Sequence, residues 1–144
     1  MDETPQDAGL AEALVGLSHH VLHLFADVGR TYKLSQQQVE LICAVIVRGR
    51  VGMTDLGKIL HLEKSNLSNL VDRAEQRGLA MRSRDPDDRR ITWVELTEEG
   101  TSLAMRTHAE VTARLGKLVN QLPIKDQRHL TGVVEQLTAA STPS

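Results

Sequence analysis

Residues 56–79 read LGKILHLEKSNLSNLVDRAEQRGL, and this stretch decides the fold. Leu67, Leu70, Val71 and Ala74 recur at i, i+3, i+4 and i+7, the spacing of a helix with one apolar face. Ser65, Asn66, Ser68, Asn69, Asp72 and Arg73 fall on its other faces, and Gly78 is placed to stop it. A shorter helix precedes it, with Leu56, Ile59 and Leu60 turned inward, Thr54 as its expected cap, and a tight turn around His61, Leu62 and Glu63. Gly57 is small enough for the second helix to pack across the first. Two short helices joined in this way form a helix-turn-helix, whose second helix can enter the major groove of DNA. Ser and Asn side chains on that helix can donate and accept at base edges, and Arg73 suits phosphate or guanine. A solvated helix presents the same polar face, so the flanking sequence has to decide between the two.

Downstream, the period changes from 3.6 to 2. Thr92, Val94 and Leu96 alternate with Ile91, Trp93 and Glu95 as in a strand with two faces, and Ala80 to Arg84 supplies a preceding strand. The D-P-D-D between Arg84 and Arg89 is turn chemistry, so the pair reads as a small hairpin with a charged tip. The run R-S-R-D-P-D-D-R-R then projects beside the helix toward DNA backbone or minor groove. Carboxylates facing phosphate would repel it, so at least one must hold an arginine. The expected pair is Asp88, as wing support, with Arg90; Arg89 is left for DNA, and Arg90 is counted with Arg73 and Arg89 among the expected DNA-binding residues.

Upstream, Ser35 and Gln38 have the spacing of a capping box, with Leu34 and Val39 placed as a hydrophobic staple. Val39, Leu41, Ile42, Ala44, Val45, Ile46 and Val47 leave little polar surface, so this helix is central and ends near Gly49. Before it, Leu10, Leu14, Leu17, Val21, Leu24 and Val28 alternate at four and three, one apolar seam on a long helix. That seam suits a second subunit or burial within the chain. Thr97, followed by Glu98 and Glu99, opens a further helix with Leu103, Val111, Leu115, Leu118 and Leu122. Pro123 breaks it, and Leu130, Val133, Val134 and Leu137 mark a last helix before the S-T-P-S tail.

The 144 residues fit a single domain, 1–144, with 40% hydrophobic residues but 2% aromatic, so aliphatic side chains must fill the interior. Helical dimerisation regions are expected over 8–32 and 101–140, around a winged core over 34–100. The fold class is therefore mainly α with a small β-hairpin wing. A net charge of −2 argues against nucleic acid only if charge is evenly spread. It is not: Asp2, Glu3, Asp7, Glu12 and Asp27 are the charges up to Gly29, whereas Arg73, Arg77, Arg82, Arg84, Arg89 and Arg90 crowd one later stretch. One cysteine, no signal pattern and no membrane-length apolar run lead to a cytoplasmic expectation, with no membrane partner.

Taken in order, M-x-x-L-G-K-I-L-H-L-E-K-S-N-L-S-N-L-V-D-R-A-E-Q-R-G-L, D-P-D-D-R-R and V-E-L-T-E-E-G resemble the MarR family of bacterial regulators, from about Leu34 to Gly100. The resemblance implies a homodimer formed by the first and last helices, and a repressor that binds a pseudo-palindromic operator in double-stranded DNA. It implies release by a small phenolic or anionic ligand, base-reading roles for Ser65, Asn66, Ser68 and Asn69, and a wing role for Arg89. Two departures stand out. Asn69 lies where the family often has Arg, and Ala74 where Leu is usual.

His19, His20 and His23 lie at i, i+1 and i+4 and border the family's ligand site, so they are the expected pocket residues. A zinc-sensing regulator of the same fold is the alternative, although no tight Cys/His spacing supports a metal site and no cofactor is expected. Cys43 lies in the most apolar helix and reads as a buried structural thiol more than as a redox sensor. No phosphate loop or nucleophile with a matched base points to an enzyme. A winged-helix module that binds protein without DNA is the remaining alternative.

Overall fold

A computed structural model describes residues 4–141 of the chain, with side chains over 8–140. Asp2, Glu3, the side chain of Asp7 and most of the terminal S-T-P-S lie outside the described residues. The described elements run α1 (Thr4–Thr31), α2 (Gln36–Arg48), β1 (Arg50–Gly52), α3 (Met53–Leu60), α4 (Lys64–Gln76), β2 (Ala80–Arg84), β3 (Thr92–Leu96), α5 (Glu98–Val119) and α6 (Ile124–Ser141). The three strands form one antiparallel sheet in the order β1-β3-β2, with Val51 opposite Val94 and Arg82 opposite Val94 on its other side.

The capping box at Ser35 is formed from both sides. Ser35 Oγ accepts the Gln38 N–H at 3.1 Å, and Gln38 Oε1 accepts the Ser35 N–H at 3.0 Å. Leu34 and Val39 are both buried in one cluster, as a staple requires. The apolar sequence of α2 explains its central place. Leu41 and Val45 pack with Val51, Leu56, Leu67, Leu70, Val71, Ala74 and Val94 of the winged core. Val39, Ile42 and Cys43 face the other way, onto Leu79, Leu103 and Ala104.

Eight residues are too few for α3 to be helical alone, so tertiary packing holds it. Leu56 is fully buried there, a contribution of about 1.5–3 kcal/mol. Thr54 does not cap this helix, contrary to the sequence expectation. Gly52 occupies the N-cap with no side-chain bond. The reason is β1, which sequence reading missed: Gly52 pairs opposite Trp93, so the chain leaves the sheet directly into α3. Three residues are too short to show alternation.

The long helices surround this core unequally. Leu24 and Val28 of α1 pack with Val111 of α5. Toward the N-terminal half the same seam is open, with Leu10 62% exposed, and α6 likewise exposes Leu130, Val134 and Leu137. On α5, Leu103 and Val111 are buried while Leu118 is exposed; the helix ends at Val119, so Leu122, expected on it from the sequence, lies exposed in the turn before α6. Thr97 caps α5 by accepting the Gly100 N–H at 3.0 Å, and its own hydroxyl donates to the Gly78 carbonyl at 2.6 Å. Gly100 sits so tightly on the α4–β2 joint that a Cβ there would lie 1.9 Å from the Leu79 carbonyl oxygen. Among the described residues, no helix is long and apolar enough to cross a membrane.

Candidate nucleic-acid interface

The helix-turn-helix depends on the residues between α3 and α4. His61 adopts a left-handed φ of 54°, and the Leu62 N–H returns to the Gly57 carbonyl at 3.0 Å. A Cβ on Gly57 would approach the Leu62 carbonyl oxygen to 3.3 Å, so glycine lets the turn close. Leu67, Leu70, Val71 and Ala74 are buried beneath α4. Ser65, Asn66, Asn69 and Arg73 are exposed. Asn69 stands one turn beyond Ser65, and Arg73 one turn beyond Asn69, so they form a continuous polar strip.

Ser68 is placed differently. It is half-buried, on the flank of α4 facing β2, where Arg82 donates to its carbonyl at 2.9 Å and to its Oγ at 3.3 Å. Arg82 also pairs with Asp72 at 2.8 Å and with Glu75. Three arginines of the basic stretch thus have structural work: Arg77 donates to the Lys33 carbonyl, Arg82 bridges to α4, and Arg84 donates to the Arg89 carbonyl at 3.0 Å. The period-2 alternation carried the signal for Arg82, since it shares the inward face with Ala80.

The wing tip is organised by two carboxylates. Asp88 binds the Arg90 guanidinium at 3.0 and 3.1 Å and its backbone N–H at 3.0 Å. Asp85 accepts the backbone N–H groups of Asp87 and Asp88 at 3.0 and 2.9 Å, and the Trp93 indole N–H at 2.8 Å. The bond from Trp93, then that from Asp87, holds the Asp85 carboxyl below its ordinary value. The Arg90 side chain does the same for Asp88, and Asp88 in turn raises Arg90. Arg89 is exposed, and its guanidinium has no partner among the described residues. Sequence reading found the Asp88–Arg90 pair and missed the Asp85–Trp93 bond. Between α3–α4 and the wing lies an open cleft of about 1120 Å³, with Lys58, His61, Lys64, Arg84 and Arg90 on its walls.

On the far side of the molecule, His19, His20 and His23 of α1 line a groove of about 640 Å³ with Asp27 and Arg114. Arg114 is paired with Glu110 at 2.7 Å, and Glu110 accepts the Tyr32 hydroxyl at 3.2 Å. Among the described residues no group of three or more His, Cys, Asp or Glu could hold a metal ion. Cys43 is buried with its Sγ 3.8 Å from Thr107 Oγ1, and burial pushes the thiol pKa up, the opposite of an activated thiol.

A helix with an exposed polar strip, packed beside a braced, arginine-tipped hairpin, defines a winged helix-turn-helix protein. Residues 34–92 match the sequence model of the MarR family. The Homoprotocatechuate degradative operon repressor of Escherichia coli is 22% identical over 130 residues, which are 90% of this chain and 88% of that protein. NadR in complex with 4-hydroxyphenylacetate has the same fold, with a TM-score of 0.80 at 21% identity over 89% of this chain and 91% of that one. A cysteine-to-serine mutant of MarR from E. coli, complexed with operator DNA, superposes with a TM-score of 0.76 at 19% identity over 95% and 99%. The chain spans 63% of the length of one curated relative that it matches and 88% of another. The family that the sequence motifs resemble is the one these comparisons return: the MarR family.

Proposed function

We propose that the chain is a DNA-binding transcriptional regulator of the cytoplasm, a repressor that grips a pseudo-palindromic operator as a homodimer and carries out no catalysis. The observation that carries this reading is the division of labour among the arginines. The guanidinium groups of Arg77, Arg82, Arg84 and Arg90 are each bonded to other groups of the chain, while those of Arg73 and Arg89, with no such partner among the described residues, are exposed on the helix and the wing that also present Ser65, Asn66 and Asn69. Affinity then comes from phosphates met by the wing, and selectivity from the bases met by α4. That a MarR structure holds operator DNA with the same fold supports the reading.

A second copy of the chain is the natural cover for the apolar seam of α1 and for α6, where Leu10, Leu14, Leu130 and Leu137 lie open. Release is assigned to a small phenolic or anionic ligand in the groove of His19, His20, His23 and Arg114. The complex of NadR with 4-hydroxyphenylacetate supports that ligand class.

Selection of oligonucleotides by the purified chain, followed by salt titration of the selected site, tests the proposal. It expects two half-sites about 34–36 Å apart and affinity that falls steeply with salt. No enriched sequence, or binding indifferent to salt, would overturn it. Sedimentation of the wild type and of Leu14→Glu tests the dimer: the substitution should give monomers, and a wild type that sediments as a monomer refutes the pairing. Titration of the operator complex with 4-hydroxyphenylacetate should release DNA, and Arg114→Ala should blunt that release.

A further inference from the structure

We propose that Trp93 is a positioning residue for DNA binding: gripped between Arg50 and Asp85, it sets the attitude of the wing tip, and so of Arg89, relative to the reading helix. The inference rests on the DNA-binding reading above.

Trp93 occupies the middle strand of the sheet, with Gly52 opposite it on β1 and Ser83 opposite it on β2. The largest side chain type is thus flanked by two of the smallest. A Cβ on Gly52 would already lie 4.0 Å from Trp93 Cζ3, so the indole lies over the space a larger β1 residue would take. The Arg50 guanidinium carbon lies 3.9 Å from the ring centroid, within the range of a cation–π contact. The indole N–H reaches Asp85 Oδ1 at 2.8 Å.

Asp85 is also the hub of the tip. Its Oδ2 holds the N–H groups of Asp87 and Asp88, and Asp88 fixes Arg90. An unbroken series of contacts therefore runs from β1 through the Trp93 ring to the loop that carries Arg89. Because β1 passes directly into α3, the same series ties the tip to the helix-turn-helix. Without it, the loop from Asp85 to Ile91 would keep its local turn bonds and the bond from Arg84 to the Arg89 carbonyl, but lose its tie to the middle strand and, through Arg50, to β1. A hairpin tip rich in exposed polar residues has few other restraints.

A double-mutant cycle on the selected operator tests this, using wild type, Trp93→Phe, Arg89→Ala and the double variant, all as full-length dimers. Phe keeps a ring beneath Arg50 but cannot donate to Asp85. Trp93→Phe should weaken operator binding about 3–10-fold and lower the salt slope in the same direction as Arg89→Ala, with thermal unfolding unchanged. In the Arg89→Ala background it should have no further effect. Independent, multiplying losses would overturn the proposal, because Trp93 would then not act through Arg89. Arg50→Met loosens the grip from the other side, with every residue of the hairpin kept, and should show the same dependence on Arg89; a loss that persists in Arg89→Ala counts against the clamp. If the wild type selects no operator, it is the DNA-binding reading that fails.

Discussion

Arg82 on β2 donates to the main-chain carbonyl of Ser68 on α4 at 2.9 Å, and the same guanidinium pairs with Asp72 and Glu75. One side chain thereby braces α4 against the wing, beside the apolar core that the two share. It also accounts for the half-buried position of Ser68, which the sequence grouped with the other polar residues of the helix.

Replacing Arg82 by Met keeps part of the aliphatic stem and removes every one of these bonds. Stability should fall by about 1–3 kcal/mol, less than for a fully buried pair because Glu75 and Asp72 remain partly solvated. Urea unfolding of the two proteins measures the difference. An unchanged midpoint would mean that the bridge contributes nothing to the fold.

The division between reading and anchoring predicts two distinct mutant classes. Asn69→Ala should reduce discrimination between the operator and single-base variants by about 1–3 kcal/mol. Arg89→Ala should weaken binding to all sequences alike and flatten the salt slope by about one. Competition assays over a panel of sites at several salt concentrations separate the two patterns.

The close seat of α5 makes Gly100 intolerant of any side chain. A Cβ 1.9 Å from the Leu79 carbonyl oxygen forces the backbone apart, so Gly100→Ala should cost about 3 kcal/mol or more. Thr97→Ala removes the cap of the same helix and should cost about 1 kcal/mol. Thermal denaturation should rank the two in that order.

The wing should also have an acid limit. The carboxyls of Asp85 and Asp88 are both held below their ordinary value of 3.8, so their stabilising bonds are complete above that value and are lost as pH falls through the lowered ones. Trp93 emission should therefore be flat from neutral pH down to about 4 and change below it. In Asp85→Asn the part of that change due to Asp85 should vanish; a full-sized change in the variant would assign the signal elsewhere.

Much of this architecture was legible in the chain because local chemistry and tertiary packing agree. Ser35 with Gln38, Thr97 at the start of α5, and the switch of period after Gly78 each name an element through one physical device. The strand at Arg50–Gly52 was not legible, since its only reason to be extended is a partner more than forty residues away in β3. The same cause misplaced the cap at Thr54. In the site, Asp88 with Arg90 could be found because both lie in one loop. Asp85 with Trp93 depends on the register of the hairpin, and Arg82 with Ser68 on how the hairpin lies against α4; the alternation places Arg82 on the inward face of β2 but does not name its partner. Asn66, Asn69 and Arg89 stand exposed, and their roles on DNA rest with the binding assays described above.

The contact of Gly100 with Leu79 also bears on how a signal crosses the molecule. With no free space at that joint, and with Thr97 bonded to Gly78 across it, α5 is seated firmly against the end of α4. A tilt of α5 would therefore meet no slack where it seats on Leu79. Glycine is required at position 100 for the absence of slack more than for backbone freedom.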